Sequence, residues 1–317
     1  MSTQSNDNGR GYEFACLNVL KAEISRFRKC EISTNSSYFA AEHAWNNLDE
    51  SQQSIYMISA VSVVDTLFDL EPLIIENTDD ILELRLQQDQ KGEIGDVRDI
   101  IILRNGVNWE IGLSIKHNHF AVKHSRLART LDFSGKWFGY PCTGTYWNCI
   151  SKIFEYLEFQ KKDEKKWSDL PNKDLDIYVP LLKAFMDEIL RQNEMHPNVP
   201  SKMVEYLLGE FDFYKIISVD NRKTTLIQAF NLHGNLNKSS STKKPTIEIP
   251  IVDLPTRIVN LGFKPNSNNT VELYMDNGWQ FSFRIHNAST YVETSLKFDI
   301  QIIGMPTTIV SISCEWK

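Results

Sequence analysis

No apolar run in this 317-residue chain approaches the roughly 18 residues of a membrane span, and the best stretch, Ile58 to Val64, is broken by serines. The N-terminal MSTQSNDNGRG is polar and lacks an apolar signal region, so the cytoplasm is the expected compartment, with no membrane partner. Cysteine is sparse: Cys16, Cys30, Cys142, Cys149 and Cys314 are an odd number without a CxxC pair. That pattern excludes a disulfide framework, gives no zinc-finger spacing and implies reduced, mostly buried thiols. A surplus of positive charge is also missing. The formal charge of −7 argues against indiscriminate coating of nucleic acid. Internal repeats, heptads and long low-complexity tracts are absent as well, which removes solenoids and coiled coils.

What remains is ordinary soluble-protein composition, 42% hydrophobic and 24% charged, with length enough for one large domain or two modest ones. Charge is segregated within it. Lys116, Lys123, Arg126, Arg129 and Lys136 stand against the single acid Asp132, and Asn221 to Ile247 carries Arg222, Lys223, Lys238, Lys243 and Lys244 without an acid. Such segregation suits an acidic body with one cleft that accepts DNA, although a basic run can equally be a solvated face.

Apolar spacing predicts helices over Tyr12 to Phe27 and Ser51 to Leu70, the latter stopped by Pro72. Antiparallel strands are expected at Ile81 to Leu86, Arg98 to Leu103 and Trp109 to Ile115, then a helix over Phe120 to Leu131 with its basic residues outward. Helices at Trp147 to Lys161 and Tyr178 to Gln192 follow. From about Asp212 the pattern turns to β, at Lys215–Val219, Thr224–Phe230, Ile247–Val252, Val271–Met275, Trp279–Ile285 and Leu296–Ile303. NLNKSSSTKKP, residues 235–245, reads as a flexible exposed loop. The expected fold is α+β: residues 1–211 as a helical segment plus a core with a mixed sheet flanked by helices, and residues 212–317 as a β-rich, DNA-binding lobe.

Chemistry concentrates in the hairpin at 96–119. Asp99 opens the apolar run Ile100 to Leu103, Asn105-Gly106 signals a turn, and the second strand ends on Lys116. An acid entering one strand and a lysine leaving its partner is the outline of the PD-(D/E)xK nuclease core. Phosphodiester hydrolysis calls for those groups: Mg²⁺ is held by one or two carboxylates plus water and phosphate, and a lysine positions water or steadies the phosphorane. Two registers keep the same face inward. A four-residue loop over Asn105 to Asn108 sets Asp99 opposite Ser114 with Lys116 on the diagonal, and carries Glu110 about 13 Å away at ~3.3 Å per residue. A two-residue turn sets Asp99 opposite Gly112, makes Glu110 its neighbour and strands Lys116. The first is preferred because the lysine must reach the phosphate. Ser114 then occupies the position of the usual second acid, and the missing carboxylate is sought at Asp96, or upstream at Glu13 or Glu71. In the tight-turn register it is Glu110.

Longer segments carry a resemblance. RGYEFA (Arg10 to Ala15), GDVRDIII, EIGLSIKHNHFAVKHSRLA (Glu110 to Ala128), GEFDFYK (Gly209 to Lys215) and FRIHNASTYVETSLKFDI (Phe283 to Ile300) resemble the HaeIII-type family of type II restriction endonucleases, from about residue 9 to about residue 304. The resemblance implies a Mg²⁺-dependent endonuclease that recognises GGCC in double-stranded DNA, with a cognate DNA methyltransferase as functional partner; a homodimer stays open. It places the nuclease role on Asp99 and Lys116. A non-catalytic DNA-binding protein on a degenerate nuclease fold is the alternative, since position 114 is not an acid.

Other signals are weaker. His117-Asn118-His119, with His124 nearby, could bind zinc, but the spacing favours contacts to phosphate or to the active-site loop. Lys123, His124, Arg126 and Arg129 suit backbone contacts. Arg284, His286 and Asn287 suit guanine readout, or else polar packing within a sheet. Trp137, Phe138, Tyr140, Tyr146 and Trp147 read as loop packing before base stacking.

Overall fold

Period-two and 3.6-residue patterns resolve into two compact units interleaved along the sequence: Met1–Phe120, Gly209–Val252 and Thr307–Lys317 form the first, Ala121–Leu208 and Asp253–Pro306 the second. The computed structural model describes residues 2–88, 96–118 and 121–317, without the side chains of residues 2–6 and 121–124. Among the described residues no helix is long and apolar enough to cross a membrane, and the five cysteines form no disulfide, only Cys149 being exposed.

The first unit begins with α1 (Ser2–Ile24), α2 (Ser36–Asn46), α3 (Glu50–Ser62) and α4 (Val64–Leu70). Asn35 and Asp49 start α2 and α3 by accepting the Tyr38 and Gln52 backbone N–H groups at 2.9 and 2.8 Å. The single helix expected over Ser51 to Leu70 is instead two. Ser62 donates its hydroxyl to the Ser59 carbonyl at 2.7 Å and to Thr225, competing with the helical ladder just before Val63 and Val64. Numbering strands in chain order over both units, this unit holds β1 (Cys30–Ser33), β2 (Leu82–Leu86), β3 (Ile100–Arg104), β4 (Trp109–His117), β6 (Phe213–Val219), β7 (Thr224–Phe230) and β12 (Ser311–Glu315). Among the described residues they make a seven-stranded mixed sheet, β1-β2-β3-β4-β6-β7-β12, with β1–β2 and β4–β6 parallel. One face buries Ile100, Ile102, Leu113, Ile115, Tyr214 and Ile216 in a core shared with Tyr12, Leu17 and Leu20 of α1 and with Tyr56 and Leu67. The boundary expected at 211/212 falls just before β6, which is hydrogen-bonded to the hairpin strand β4.

The second unit holds β5 (Ala121–Ala128), β8 (Ile258–Phe263), β9 (Thr270–Met275), β10 (Gln280–His286) and β11 (Ser295–Gly304), a five-stranded antiparallel sheet in the order β5-β11-β10-β9-β8. Its helices are α5 (Phe133–Phe138), α6 (Gly144–Lys162), α7 (Val179–Met195) and α8 (Val199–Leu208). The helix expected over Phe120 to Leu131 is overturned: residues 121–128 are strand β5. Leu127 pairs with Leu296 and is buried, while Arg126 beside it faces out, a period of two that the spacing of basic residues concealed. The aromatic cluster is core, as expected for Trp137, Phe138 and Tyr146: Trp137 stacks on Tyr206 at 5.0 Å, and Phe133 and Phe185 pack beside it.

The strand expected at Ile247 to Val252 is absent. Pro245, Pro250 and Pro255 punctuate that segment, and Ile249 and Val252 are buried one by one without a ladder. Residues 235–245 carry no helix or strand, and the segment is tied to its unit at several points. The Ser241 N–H donates to Glu76 at 2.7 Å, and Lys243 pairs with Asp69 at 2.8 Å.

Glu71 holds the start of that segment. Its fully buried carboxylate accepts the Tyr214 hydroxyl at 2.7 Å and the backbone N–H groups of Asn237 and Lys238. Burial pushes the carboxyl up to about 7 from an ordinary 4.5, against the pull of those donors. The folded protein therefore keeps this proton between those values; the associated stability is present below 4.5 and lost as pH rises through 7. The expected cost on reaching neutrality is on the order of 2 kcal/mol. Urea unfolding at pH 5 and pH 7.5 checks this: relative to Glu71→Gln, the parent protein should be more stable at the lower pH. An identical difference at both values would remove the proton from Glu71.

Candidate active site

Hairpin register decides what Asp99 can touch. Ile100 pairs with Leu113 and Ile101 with Gly112 across β3 and β4, the register that sets Asp99 opposite Ser114. The loop takes four residues: Asn105–Val107 form one 3₁₀ turn, and Asn108 closes it in the left-handed region at φ 50°. Asn accepts that conformation more readily than most residues. The Asp99 N–H then donates to the Leu113 carbonyl at 2.7 Å.

This register brings three donors onto one oxygen. Asp99 Oδ2 accepts the Ile115 N–H at 2.6 Å, Lys116 Nζ at 2.9 Å and, at 3.4 Å, the Ser114 hydroxyl. Both charged side chains keep about a quarter of their surface, 22% for Asp99 and 26% for Lys116. Burial draws the Lys116 ammonium down, but the carboxylates of Asp99 and Glu13 outweigh it and hold the group above the usual lysine value. Lys116 is thus a fixed cation at neutral pH, suited to stabilising phosphate charge electrostatically. On the neighbouring parallel strand Ser114 is paired with Lys215. Glu13, an upstream acid weighed as the missing carboxylate, lies within electrostatic reach of Lys116; Glu71, the other, is committed to Tyr214 and residues 237–238.

The HaeIII restriction endonuclease family matches residues 9–306, and the type II restriction enzyme HaeIII of Haemophilus aegyptius is 54% identical over 318 residues, all of both chains. The chain belongs to the HaeIII restriction endonuclease family. It is a type II restriction enzyme, a site-specific deoxyribonuclease, which sets aside the non-catalytic alternative. No solved structure matches it.

The remaining acids near the hairpin of this endonuclease are organised by Arg98. Its guanidinium grips Asp96 through Nε at 2.9 Å and Nη2 at 2.8 Å, and Glu110 through Nη1 at 2.6 Å. Its far face lies over the Phe211 ring at 4.0 Å. Asp96 and Glu110 are therefore brought together with each other, through Arg98; in the observed register Glu110 is opposite Leu103, four residues along β4 from Ser114. Among the described residues no group of three or more His, Cys, Asp or Glu side chains could hold a metal ion. Asp99 and Glu13 both act on Lys116, and Mg²⁺ accepts as few as one or two carboxylates when water and phosphate supply the rest.

His117 faces the core side of β4. Its Nε2 meets Asp220 Oδ2 at 2.7 Å and its Nδ1 meets the Tyr56 hydroxyl at 3.3 Å. Asn118 accepts the Asp220 N–H and closes the strand end. His119 and the side chain of His124 lie outside the described residues.

In the five-stranded sheet, Arg284 is paired across β10 and β11 with Asp299, their charges 3.6 Å apart. It lines a polar depression of about 380 Å³ with Lys264, Thr270, Ser282, Asp299 and Gln301. His286, two residues along, is opposite Lys297; burial and the neighbouring cations Arg284 and Lys297 hold its imidazole below the usual value. Asn287 works within its own loop, donating to the Ser289 and Tyr291 carbonyls and accepting the Glu293 N–H. Arg126 pairs with Glu293 at 3.2 Å, and Arg129 with Glu155 and Glu158. Lys123 and His124 are strand residues opposite Ile300 and Asp299, so helical spacing does not group 123, 126 and 129.

Sequence reasoning passed over Arg98 and Lys215. The available signals were a glycine inside a strand, which marks a close approach, and a lysine inside the apolar run FYKIISV. Gly112 is there because of Arg98: a Cβ on it would sit 2.0 Å from Arg98 Cδ. Gly112→Ala should therefore dislodge Arg98 and cost about 1 to 3 kcal/mol of stability. Urea unfolding measures it, and an unchanged midpoint would mean that the guanidinium leaves Gly112 without penalty.

Proposed function

We propose that this restriction endonuclease hydrolyses double-stranded DNA at GGCC, using Mg²⁺ held by Asp99 and Glu13 on a PD-(D/E)xK-like core. The observation that carries the reading is the Asp99–Lys116 pair, 2.9 Å apart across neighbouring strands. Asp99 is oriented from behind by the Ile115 N–H and the Ser114 hydroxyl. When bound, the metal supplies Lewis-acid charge to the scissile phosphate and lowers the pKa of a coordinated water. Lys116, kept protonated, leans on the phosphate oxygens as charge builds there. Glu110 and Asp96 take an indirect part, fixing Arg98 beside the hairpin.

The second unit's sheet supports the reading of bases. Arg284 is more than half exposed, 55% of its side chain, and a guanidinium pairs bidentately with guanine O6 and N7. His286 stands next to it, and Asn287 shapes the loop beyond. Arg126 and Arg129, with Lys123 and His124 on the same strand and turn, are assigned to phosphates, where exchanging Glu293, Glu155 and Glu158 for DNA keeps each guanidinium paired. The region 212–317 thus contributes to DNA binding; a cytoplasmic setting, a cognate methyltransferase and a homodimer complete the proposal.

Asp99→Ala and Lys116→Ala should each lower cleavage by at least about 100-fold while leaving DNA binding detectable. A plasmid digest with and without Mg²⁺, beside a gel shift, tests both; near-normal cutting by either variant moves the site elsewhere. Arg284→Ala should cost about 1 to 3 kcal/mol at one base position and relax discrimination there. Competition across single-base variants of GGCC reads this out. Unchanged ratios between variants would return the strand to a purely structural role.

A further inference from the structure

A polar row crosses the seven-stranded sheet beside the candidate catalytic pair. Ser114 of β4 is in register with Lys215 of β6, Lys215 with Gln228 of β7, and Gln228 with Ser311 of β12. Asp99 enters the row at its other end through the Ser114 hydroxyl. Side chains in register on neighbouring strands share a face, with strands about 4.8 Å apart. Lys215 therefore emerges beside Ser114 on the side away from Asp99, while Lys116 is two residues further along β4 on that same face.

Lys215 is 5% exposed. Burial lowers its ammonium to about 8, the charge of Lys116 pushes the same way, and Asp99 opposes them. Two lysines thus act on one another and on one aspartate. A fold that only needed to fill this position could do so with an apolar side chain, as Phe213 and Ile217 do on either side. The residue in register with the lysine is also the one that departs from the nuclease motif: Ser114 stands where an acid is usual. A neutral hydroxyl flanked by a buried ammonium replaces a carboxylate. The local charge is shifted toward an incoming anion.

We propose that Lys215 is a catalytic residue, a second cation that contacts the scissile phosphate from the side of Ser114 opposite Asp99. This rests on the reading of Asp99 and Lys116 as the catalytic pair. Lys215 supplies positive charge to the non-bridging oxygens, and Lys116 supplies it from the next position along the neighbouring strand. Ser114 permits the arrangement, because an acid there would neutralise Lys215 directly.

The test uses the full-length enzyme with Lys215→Met and Lys215→Gln. Three quantities are measured: single-turnover cleavage of a GGCC duplex at saturating enzyme with Mg²⁺, metal-free affinity for that duplex over a range of salt, and the thermal midpoint. Loss of a phosphate contact predicts a rate lower by about 100-fold or more and a salt slope reduced by about one unit. The salt slope carries the distinction, because Lys215 has an interaction of its own and its removal alters stability in either reading. Cleavage within about threefold of the parent overturns the proposal. So does a slower rate that comes with an unchanged salt slope in both variants, the signature of a structural lysine. Asp99→Asn runs alongside. If it too cuts normally, the reading of the pair has failed; if it is inactive while the Lys215 variants cut, the failure belongs to Lys215 alone.

Discussion

The hydrogen bond from the Ile115 N–H to the Asp99 carboxylate is the contact on which this active-site reading depends. It exists only in one register of the β3–β4 hairpin, and a slip of one residue would turn every side chain of a strand to the opposite face. Ile100, Ile102, Leu113 and Ile115 oppose such a slip by filling the helix-covered core. Asn108 opposes it at the loop, in a left-handed conformation that sets the residue count between the strands. Apolar packing on one side of the sheet thereby positions a charged pair for the other. Asp99 needs no neighbour beyond its own hairpin to be aimed.

Along the hairpin and the segment before it, several carboxylates are occupied by arginines. Asp96 and Glu110 are held by Arg98, and Glu76 and Asp80 by Arg104, with Arg28 adding to Asp80. Glu76 is pulled down to about 2, chiefly by its hydrogen bonds to Arg104 and Ser241. These pairings do more than stabilise. They neutralise these carboxylates locally, while the surplus of −7, which already counts the arginines, is carried by the other acids of the chain.

Much of this was legible beforehand because the relevant interactions are local. The hairpin strands followed from alternation, and the choice between registers, which alternation leaves open, followed from what a lysine must reach. Identity followed from long matching segments. What stayed hidden depends on partners distant in sequence. Residues 121–128 pass for a helix until β11 is set beside them, when Leu127 finds Leu296. Ile247 to Val252 passes for a strand until its prolines are weighed against the ladder it would need. Lys215 belongs to the cluster only because β6 runs parallel to β4, and no local pattern announces a parallel neighbour. Arg98 was visible as a letter between two aspartates, but its grip on Glu110 required the loop length to be known.

The parallel pair β4–β6 also has a kinetic meaning. Residues 112–117 bond to residues 213–218, so about a hundred residues must be drawn into a loop before the first of those bonds forms. The entropy of closing such a loop is about 4 kcal/mol, and contacts of this separation form slowly. On a ribosome the hairpin with Asp99 and Lys116 emerges well before its neighbouring strand exists. The row that joins Ser114 to Lys215 is therefore completed late, by a chain already long enough to carry most of the elements of its second unit. A short, unfinished chain of this enzyme thus carries the Asp99–Lys116 hairpin without the parallel strand that borders it.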